Sequence, residues 1–450
     1  MTSPAAPDLA PPSQPGDLTY QKRLQDSQWW SPEDLARHQQ RQLTSLVAHA
    51  WETVPFQRAR LAAAGFEPGR PLDLDQWRRL PPLTRREIQR AGEALWSTAV
   101  PPAHGELLTT TTSGATGTPV TVRGTVFDAI IGKALTLRHF LWHPYDFSRR
   151  FASIRRVHGT RYEYPHGRHV ARWDDTATFP FATGHATILS IGASIAQQAE
   201  WLRRVDPDYL LTYPSNLRYL AAHCHANGIA VPSLEHVTSF GEVLSDETRE
   251  ECRRAWDVRV IDVYSAQEVG PIALQCSESE AYHVQAEAIL VEVIDDEGAP
   301  CRPGETGRVL VTPLNNFAMP LLRYEIGDHA LVGERCSCGR GLPVLQRILG
   351  RERNALLVGR RGERYWPAFG SRKLRQLAPI VQHQLVQTSV TRLEARLVTE
   401  RPLTPDEESS LRAHILAALP SRFELAVTYH DEIPRNSSGK FETFICEVAD

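Results

Sequence analysis

Thr109-Thr110-Thr111-Thr112-Ser113-Gly114-Ala115-Thr116-Gly117-Thr118-Pro119 is the stretch on which the reading of this chain turns. It offers a row of hydroxyl donors. Gly114 and Gly117 remove side chains where a backbone N–H has to come close to a phosphate. The Gly-Lys-Ser/Thr ending of a Walker loop is missing. On composition alone, a flexible Ser/Thr-rich surface loop is the commoner outcome. A second segment far downstream shifts the balance: Pro434-Arg435-Asn436-Ser437-Ser438-Gly439-Lys440. Arginine supplies nearly all the positive charge, and Lys440 is one of only four lysines. Lysine is a compact point charge where arginine is a planar fork. A single carboxylate or phosphate oxygen at a reacting centre suits the point charge.

Composition sets wide bounds. The 450 residues allow two or three domains, and a hydrophobic fraction of 42% is enough for a sizeable core. A formal charge of -3 argues against nucleic acid or a membrane surface as partner. No run approaches the roughly 18 apolar residues of a transmembrane helix. Residues 1–18 are rich in Pro, Ala and Ser, without a basic start or an apolar stretch. They read as a disordered leader rather than a signal peptide. Seven cysteines in such a chain fit cytoplasmic thiols or metal ligands better than a disulfide framework.

The pattern along the chain is α/β. Gln21 to Gly65 reads helical, and Thr84 to Glu87 has capping-box spacing. Val120 to Val122 reads as a strand and Phe127 to Trp142 as a helix, and strands and helices alternate from Pro180 to Ala226. Strand-and-turn signals make 285–350 a β-rich subdomain of a large domain spanning 19–350. A hinge is expected at 351–354. Residues 355–450 then read as a small α+β domain, with a helix opening at Thr404-Pro405-Asp406-Glu407 and alternating strands at Leu393 to Leu397 and Leu425 to Tyr429.

Four further segments complete a constellation: Phe240-Gly241-Glu242, Asp262-Val263-Tyr264-Ser265-Ala266-Gln267-Glu268, Tyr324-Glu325-Ile326-Gly327-Asp328, and Gly350-Arg351. Singly, an acidic residue in a turn is usually solvated and an isolated Tyr is usually core. In order and spacing, the set resembles the adenylate-forming superfamily of acyl-CoA synthetases, adenylation domains and luciferases, and within it the phenylacetate–coenzyme A ligase family. The resemblance runs from about Tyr20 to the C-terminus. It implies a large N-terminal α/β domain with a mobile C-terminal lid. Thr110, Thr111, Thr112, Ser113, Gly114, Thr116, Gly117 and Thr118 would hold the phosphates of ATP. Gly241 and Glu242 would lie beside the adenine, and Tyr264 would stack on it. Asp328 and Arg351 would bind the ribose, Glu268 would bind Mg²⁺, and Lys440 would bridge the substrate carboxylate and the α-phosphate. Two positions depart from the family. Gln267 stands where Thr is usual before the metal-binding Glu, and the hinge pair is Arg353-Asn354 where an acidic residue is common.

Cys276, His283, Cys336 and Cys338 supply a Cys₃His set of the kind that closes structural zinc sites. Cys-x-Cys is tighter than the usual Cys-x₂-Cys spacing, and four unrelated buried residues would give the same pattern. Similar pairs occur in relatives of the phenylacetate ligase family that carry a structural metal, and this favours zinc. Its role would be to pin the β-rich subdomain against the nucleotide domain.

The resemblance implies an AMP-forming acid–thiol ligase. The acid would be aryl or arylacetic and the acceptor most simply coenzyme A. A carrier-protein thiol or a nitrogen nucleophile is the alternative acceptor. A non-catalytic nucleotide binder is a third reading, which the Glu268, Asp328 and Lys440 set opposes. The acid pocket is sought around His158 and Tyr162 and around Tyr213 and Ser215, where aromatic residues either stack on a ring or are ordinary surface aromatics. A homodimer is suggested by analogy alone.

Overall fold

A computed structural model of the chain describes residues 19–111, 120–173, 179, 181–351, 355–358, 363–365, 371–435 and 441–448. The expected leader 1–18, residues 112–119 of the expected phosphate loop, the expected hinge positions 352–354 and the segment 436–440 with Lys440 lie outside the described residues.

The helical N-terminal stretch is three helices: α1 (Thr19–Ser27), α2 (Pro32–Thr53) and α3 (Pro55–Ala63). Ser31 caps α2 through the Asp34 N–H with Pro32 at the first helical position, and Pro55 starts α3 after the extended Val54. Next come α4 (Leu74–Arg79) and α5 (Arg85–Ala91), the latter opened by the expected capping box between Thr84 and Glu87. Strands β1 (Leu107–Thr111) and β2 (Thr121–Thr125) form an antiparallel ribbon, followed by α6 (Val126–Trp142).

The chain then builds β3 (Phe151–Arg155), β4 (Arg168–Val170), β5 (Ala186–Ser190), α7 (Ile195–Val205), β6 (Tyr209–Thr212), α8 (Pro214–Ala226), β7 (His236–Phe240), α9 (Asp246–Trp256) and β8 (Arg259–Ala266). Six strands complete its central sheet: β9 (Gly270–Gln275), β10 (Tyr282–Val284), β11 (Ile289–Ile294), β12 (Thr306–Pro313), β13 (Tyr324–Val332) and β14 (Val344–Arg351).

Among the described residues these strands make one twelve-stranded sheet, ordered β11-β12-β13-β14-β10-β9-β8-β7-β6-β3-β5-β4. Strands β5, β3, β6, β7 and β8 run parallel, and β8 through β11 are antiparallel. The β-rich stretch therefore does not close on a sheet of its own, as the expected subdomain would. It continues the sheet of the parallel strands through the β8–β9 and β10–β14 pairings. The parallel half is covered by α7 and α8, with Trp201, Leu202, Leu217 and Leu220 fully buried against Ile154, Leu210 and Val237. The antiparallel half packs Tyr264, Leu274, Val284, Val309, Val311 and Tyr324 into a second cluster.

The C-terminal part carries the hairpin β15 (Leu356–Val358) and β16 (Glu363–Tyr365), α10 (Ser371–Leu377), β17 (Ile380–Ser389), β18 (Arg392–Thr399), α11 (Pro405–Ala417), β19 (Glu424–Tyr429) and β20 (Phe444–Cys446). Strands β19-β18-β17-β20 form a separate sheet with its own core of Leu385, Leu393, Leu397, Leu411, Ile415 and Phe444. Thr404 caps α11 with Glu407 returning the bond.

Candidate active site

In an open α/β sheet, ligands bind beyond the carboxyl ends of the strands where the winding direction reverses. Here β3 leads outward to β5, and β6 returns to the other side of β3. The crevice at this switch point is therefore lined by the segments that leave the ends of β3 and β6. The Arg156 N–H donates to the Tyr213 hydroxyl across it at 3.3 Å. Two halves of the expected acid pocket meet this place unequally. Tyr213 and Ser215 sit at its rim, at the end of β6 and the start of α8. Tyr213 is buried against Phe240, with ring centroids 4.9 Å apart. His158, after β3, is exposed. Tyr162 is buried, its hydroxyl accepts from Arg168 at 2.8 Å, and the Arg161 guanidinium lies 5.0 Å from the ring centre.

Next along the sheet, β7 ends at Phe240, and Gly241 turns the chain with a φ of +74°, which favours glycine. The turn aims Glu242 at the first turn of α8. Its carboxylate accepts from the Ser215 N–H at 2.8 Å and the Ser215 hydroxyl at 3.1 Å. An anion there is stabilised by the orphan N–H groups and the helix dipole. The same carboxylate accepts from the Phe441 N–H of the small domain at 3.3 Å. Sequence reasoning placed Glu242 beside a base and missed that it bridges domains.

Farther along, the Tyr264 hydroxyl donates to Asp328 at 2.8 Å. Asp328 and Arg351 are cross-strand partners on β13 and β14, with the guanidinium Nε 4.0 Å from the carboxylate. Asp328 lies within β13, where Gly327 at φ +86° and a register shift bend the strand. Burial, reinforced by the Asp328 charge, pushes the Tyr264 phenol well above its ordinary range. The structure thus brings three of the predicted nucleotide-site residues together, Tyr264 by a hydrogen bond to Asp328 and Arg351 by a long ion pair to it.

Glu268, in the turn between β8 and β9, is nearly covered, and the Arg85 guanidinium lies 2.5 Å from its carboxylate. Arg85 is delivered by the segment before α5. Leu83 pairs with β13 through its N–H to Arg323 O (2.8 Å) and its carbonyl from Glu325 N–H (2.9 Å). Burial lifts the Tyr324 phenol to about 12, with the Glu268 charge adding to it and Arg85 opposing. Arg85 and Tyr324 were not anticipated. The signal for Arg85 was the capping box, which fixes where α5 begins, and Tyr324 opened the quoted segment that ends at Asp328.

Thr110 and Thr111 form the exposed end of β1, with the Thr111 hydroxyl 3.3 Å from that of Thr121. They were expected in a loop and are strand. Thr112, Ser113, Gly114, Thr116, Gly117, Thr118, Arg353 and Lys440 lie outside the described residues.

The four candidate metal ligands converge. Cys276 follows β9, His283 is on β10, and Cys336 and Cys338 lie between β13 and β14; their donor atoms all fall within 4.8 Å of one another. The Cys276 and Cys336 sulfurs are 3.7 Å apart, and Cys338 Sγ is 3.3 Å from His283 Nε2. Two thiolates at about 2.3 Å from a shared tetrahedral ion would be separated by roughly 3.8 Å, so the set fits zinc. A disulfide needs about 2.05 Å. Burial raises the Cys276 thiol, but the His283 hydrogen bond and the Glu278 and Ser279 N–H groups outweigh it and bring it to about 5. The four residues lie on the β9–β10 hairpin and the β13–β14 loop of one continuous sheet. Cys224 and Cys252 are buried thiols, and Cys301 and Cys446 are half-buried.

Comparison with known proteins agrees with this geometry. The family described as AMP-binding enzyme matches residues 72–318, more than half of the chain. A phenylacetate-coenzyme A ligase of Thermus thermophilus is 27% identical over 387 residues, covering 82% of each chain. One from Escherichia coli is 25% identical over 349 residues, covering 75% of each. A solved structure of 2-hydroxyisobutyryl-CoA ligase in the postadenylation state shares the fold, with a TM-score of 0.71 at 18% identity, over 92% of this chain and 89% of that one. Among the described residues, no helix is long and apolar enough to cross a membrane. The chain belongs to the AMP-binding enzyme family and is an AMP-forming, adenylate-forming acid–thiol ligase.

Proposed function

We propose that the protein activates an aryl or arylacetic acid with ATP and passes the acyl group to coenzyme A. The observation that carries this reading is the likeness to phenylacetate-coenzyme A ligases over three quarters or more of the chain. The site chemistry agrees with it. In the first step a carboxylate oxygen attacks the α-phosphorus of ATP, the bond to the bridging oxygen breaks, and pyrophosphate leaves. In the second, the coenzyme A thiol attacks the acyl carbon of the adenylate, losing its proton, and AMP leaves.

Two anions must approach within bonding distance in the first step. Preorganised cations and dipoles lower that barrier, and fixed orientation removes the entropic cost of encounter. In this reading Asp328 and Arg351 receive the ribose hydroxyls, Tyr264 and the Gly241–Glu242 turn flank the adenine, and Thr110 to Thr118 take the phosphates. Lys440 bridges the carboxylate and the α-phosphate. Glu268 is a hard-oxygen ligand and suits Mg²⁺, which is commonly held by one or two carboxylates plus substrate phosphates. When bound, Mg²⁺ would neutralise phosphate charge. Cys276, His283, Cys336 and Cys338 would hold a structural zinc ion.

A screen of acid-dependent ATP–pyrophosphate exchange over aryl, arylacetic, amino-aryl and short aliphatic acids tests the reading. Exchange confined to aliphatic acids removes the substrate class, and no exchange with any acid removes adenylation.

A further inference from the structure

The small domain touches the large one at Ser215, Asn216 and Glu242, beside the turn that the nucleotide reading places at the adenine. Arg435 is half-buried at the first turn of α8. Its guanidinium donates to Asn216 Oδ1 at 3.2 Å and approaches the Ser215 hydroxyl at 3.5 Å. Asn216 is itself held rigidly: its Nδ2 donates to Gln198 at 2.7 Å and to the Thr212 hydroxyl at 3.1 Å. Its oxygen is therefore fixed toward Arg435. Burial lowers the Arg435 guanidinium, and the Glu242 charge opposes that. Phe441 docks beside it. Its N–H reaches Glu242 at 3.3 Å, and its buried ring meets Tyr219 edge-on at 5.7 Å. One carboxylate thus serves three tasks: it caps α8, draws in Arg435 and receives Phe441. A second contact lies on α9, where Arg375 of the small domain is 3.1 Å from Glu251 and 3.9 Å from Glu247. Both contacts are desolvated, so each is worth more than a surface pair and is lost when the domains part.

We infer that Arg435 is a positioning residue. Through Asn216, Ser215 and Glu242 it holds the small domain docked on the carboxyl-end crevice for acid activation, and it releases for thioester formation. The inference rests on the two-step reading above. Docking is needed when the acid and ATP must be brought together. The adenylate, once made, has to be reached by a thiol, and a docked domain covers the crevice from which it would come. Glu242 is the exchange point, because undocking leaves it still satisfied by Ser215. The large domain then loses little when the small one departs.

Full-length Arg435→Ala and Arg435→Lys proteins test this in two assays. The first is acid-dependent pyrophosphate exchange. The second is thioester formation from supplied acyl-adenylate and coenzyme A. Arg435→Ala is expected to lower exchange at least tenfold and to leave the second assay within twofold or raise it. Arg435→Lys keeps the charge without the fork and should fall between. Equal losses in both assays, or no loss in either, overturn the inference. Hydrogen exchange supplies a readout independent of turnover. In Arg435→Ala, amides around Ser215 and Phe441 should exchange faster while β17 and β18 stay protected. Unchanged exchange at Ser215 and Phe441 also overturns it. A wild-type enzyme inactive with every acid would instead remove the two-step reading, leaving the docking contact to be judged by exchange alone.

Discussion

The Arg85 guanidinium sits 2.5 Å from the Glu268 carboxylate, joining the first turn of α5 to the turn between β8 and β9. In the proposed function this is the carboxylate that would face Mg²⁺. A cation already pairs with it, so metal and guanidinium compete for one charge. Glu268→Gln removes the charge and should lower pyrophosphate exchange by roughly 10²-fold, the scale for one transition-state electrostatic partner. Arg85→Ala removes the competitor and should shift the Mg²⁺ titration of exchange to lower metal concentration. A titration midpoint unmoved by Arg85→Ala would show that the two cations do not share Glu268.

Tyr264→Phe deletes a single hydroxyl and leaves the Asp328 carboxylate short of one donor. Loss of a hydrogen bond to a buried charged group costs about 1–3 kcal/mol. The thermal midpoint should fall accordingly. If Asp328 receives the ribose, KM for ATP should rise while kcat changes little, the pattern of a uniform binding contact. A fall in kcat at unchanged KM would place Tyr264 in the chemical step.

Much of the fold was legible. The capping boxes at Thr84 and Thr404 and the strands at Ile289–Ile294 and Leu393–Leu397 depend on local chemistry, and each formed where its residues directed. The single continuous sheet was not legible. Alternation reveals that 289–294 is a strand, but its partners across β12 and, more remotely, β10 and β9 are set by tertiary packing. The same limit hid Arg85 and Arg435. Each is an arginine in a sequence full of them, and only the folded chain brings one to Glu268 and the other to Asn216. Tyr264 and Asp328, which the fold brings into contact, were singled out through a motif order, and the converging Cys₃His set through residue type.

Lys440→Ala tests the terminal ammonium. It should reduce exchange by roughly 10²-fold or more. ATP affinity measured by calorimetry should change far less, because the ammonium acts where charge develops rather than where the nucleotide is gripped. A variant with wild-type exchange defeats the assignment.

Zinc, if held by Cys276, His283, Cys336 and Cys338, binds the folded chain and stabilises it by mass action. Elemental analysis of gently purified protein should give one zinc per chain, and Cys338→Ser should lose most of it. A chelator should lower the thermal midpoint of the wild type and leave that of the variant nearly unmoved. Wild-type protein without stoichiometric zinc ends this reading.

Asp262 lies wholly inside, on β8, accepting from the Ser239 hydroxyl at 2.5 Å and the Tyr282 hydroxyl at 2.8 Å. Burial raises its carboxyl from 3.8 to about 6, against the pull of those two donors. The folded state therefore holds its proton more tightly than the unfolded chain does. The stability this supplies is complete below pH about 4 and is lost as pH rises through about 6, where folding must accept a buried anion. A difference of that size corresponds to roughly 3 kcal/mol. Asp262→Asn cannot ionise, so its stability relative to the wild type should improve by a large part of that amount between pH 4.5 and 7.5. Denaturant unfolding at the two pH values measures the difference. A gap between the two proteins that stays constant across this range would mean that Asp262 does not carry the extra proton in the folded state.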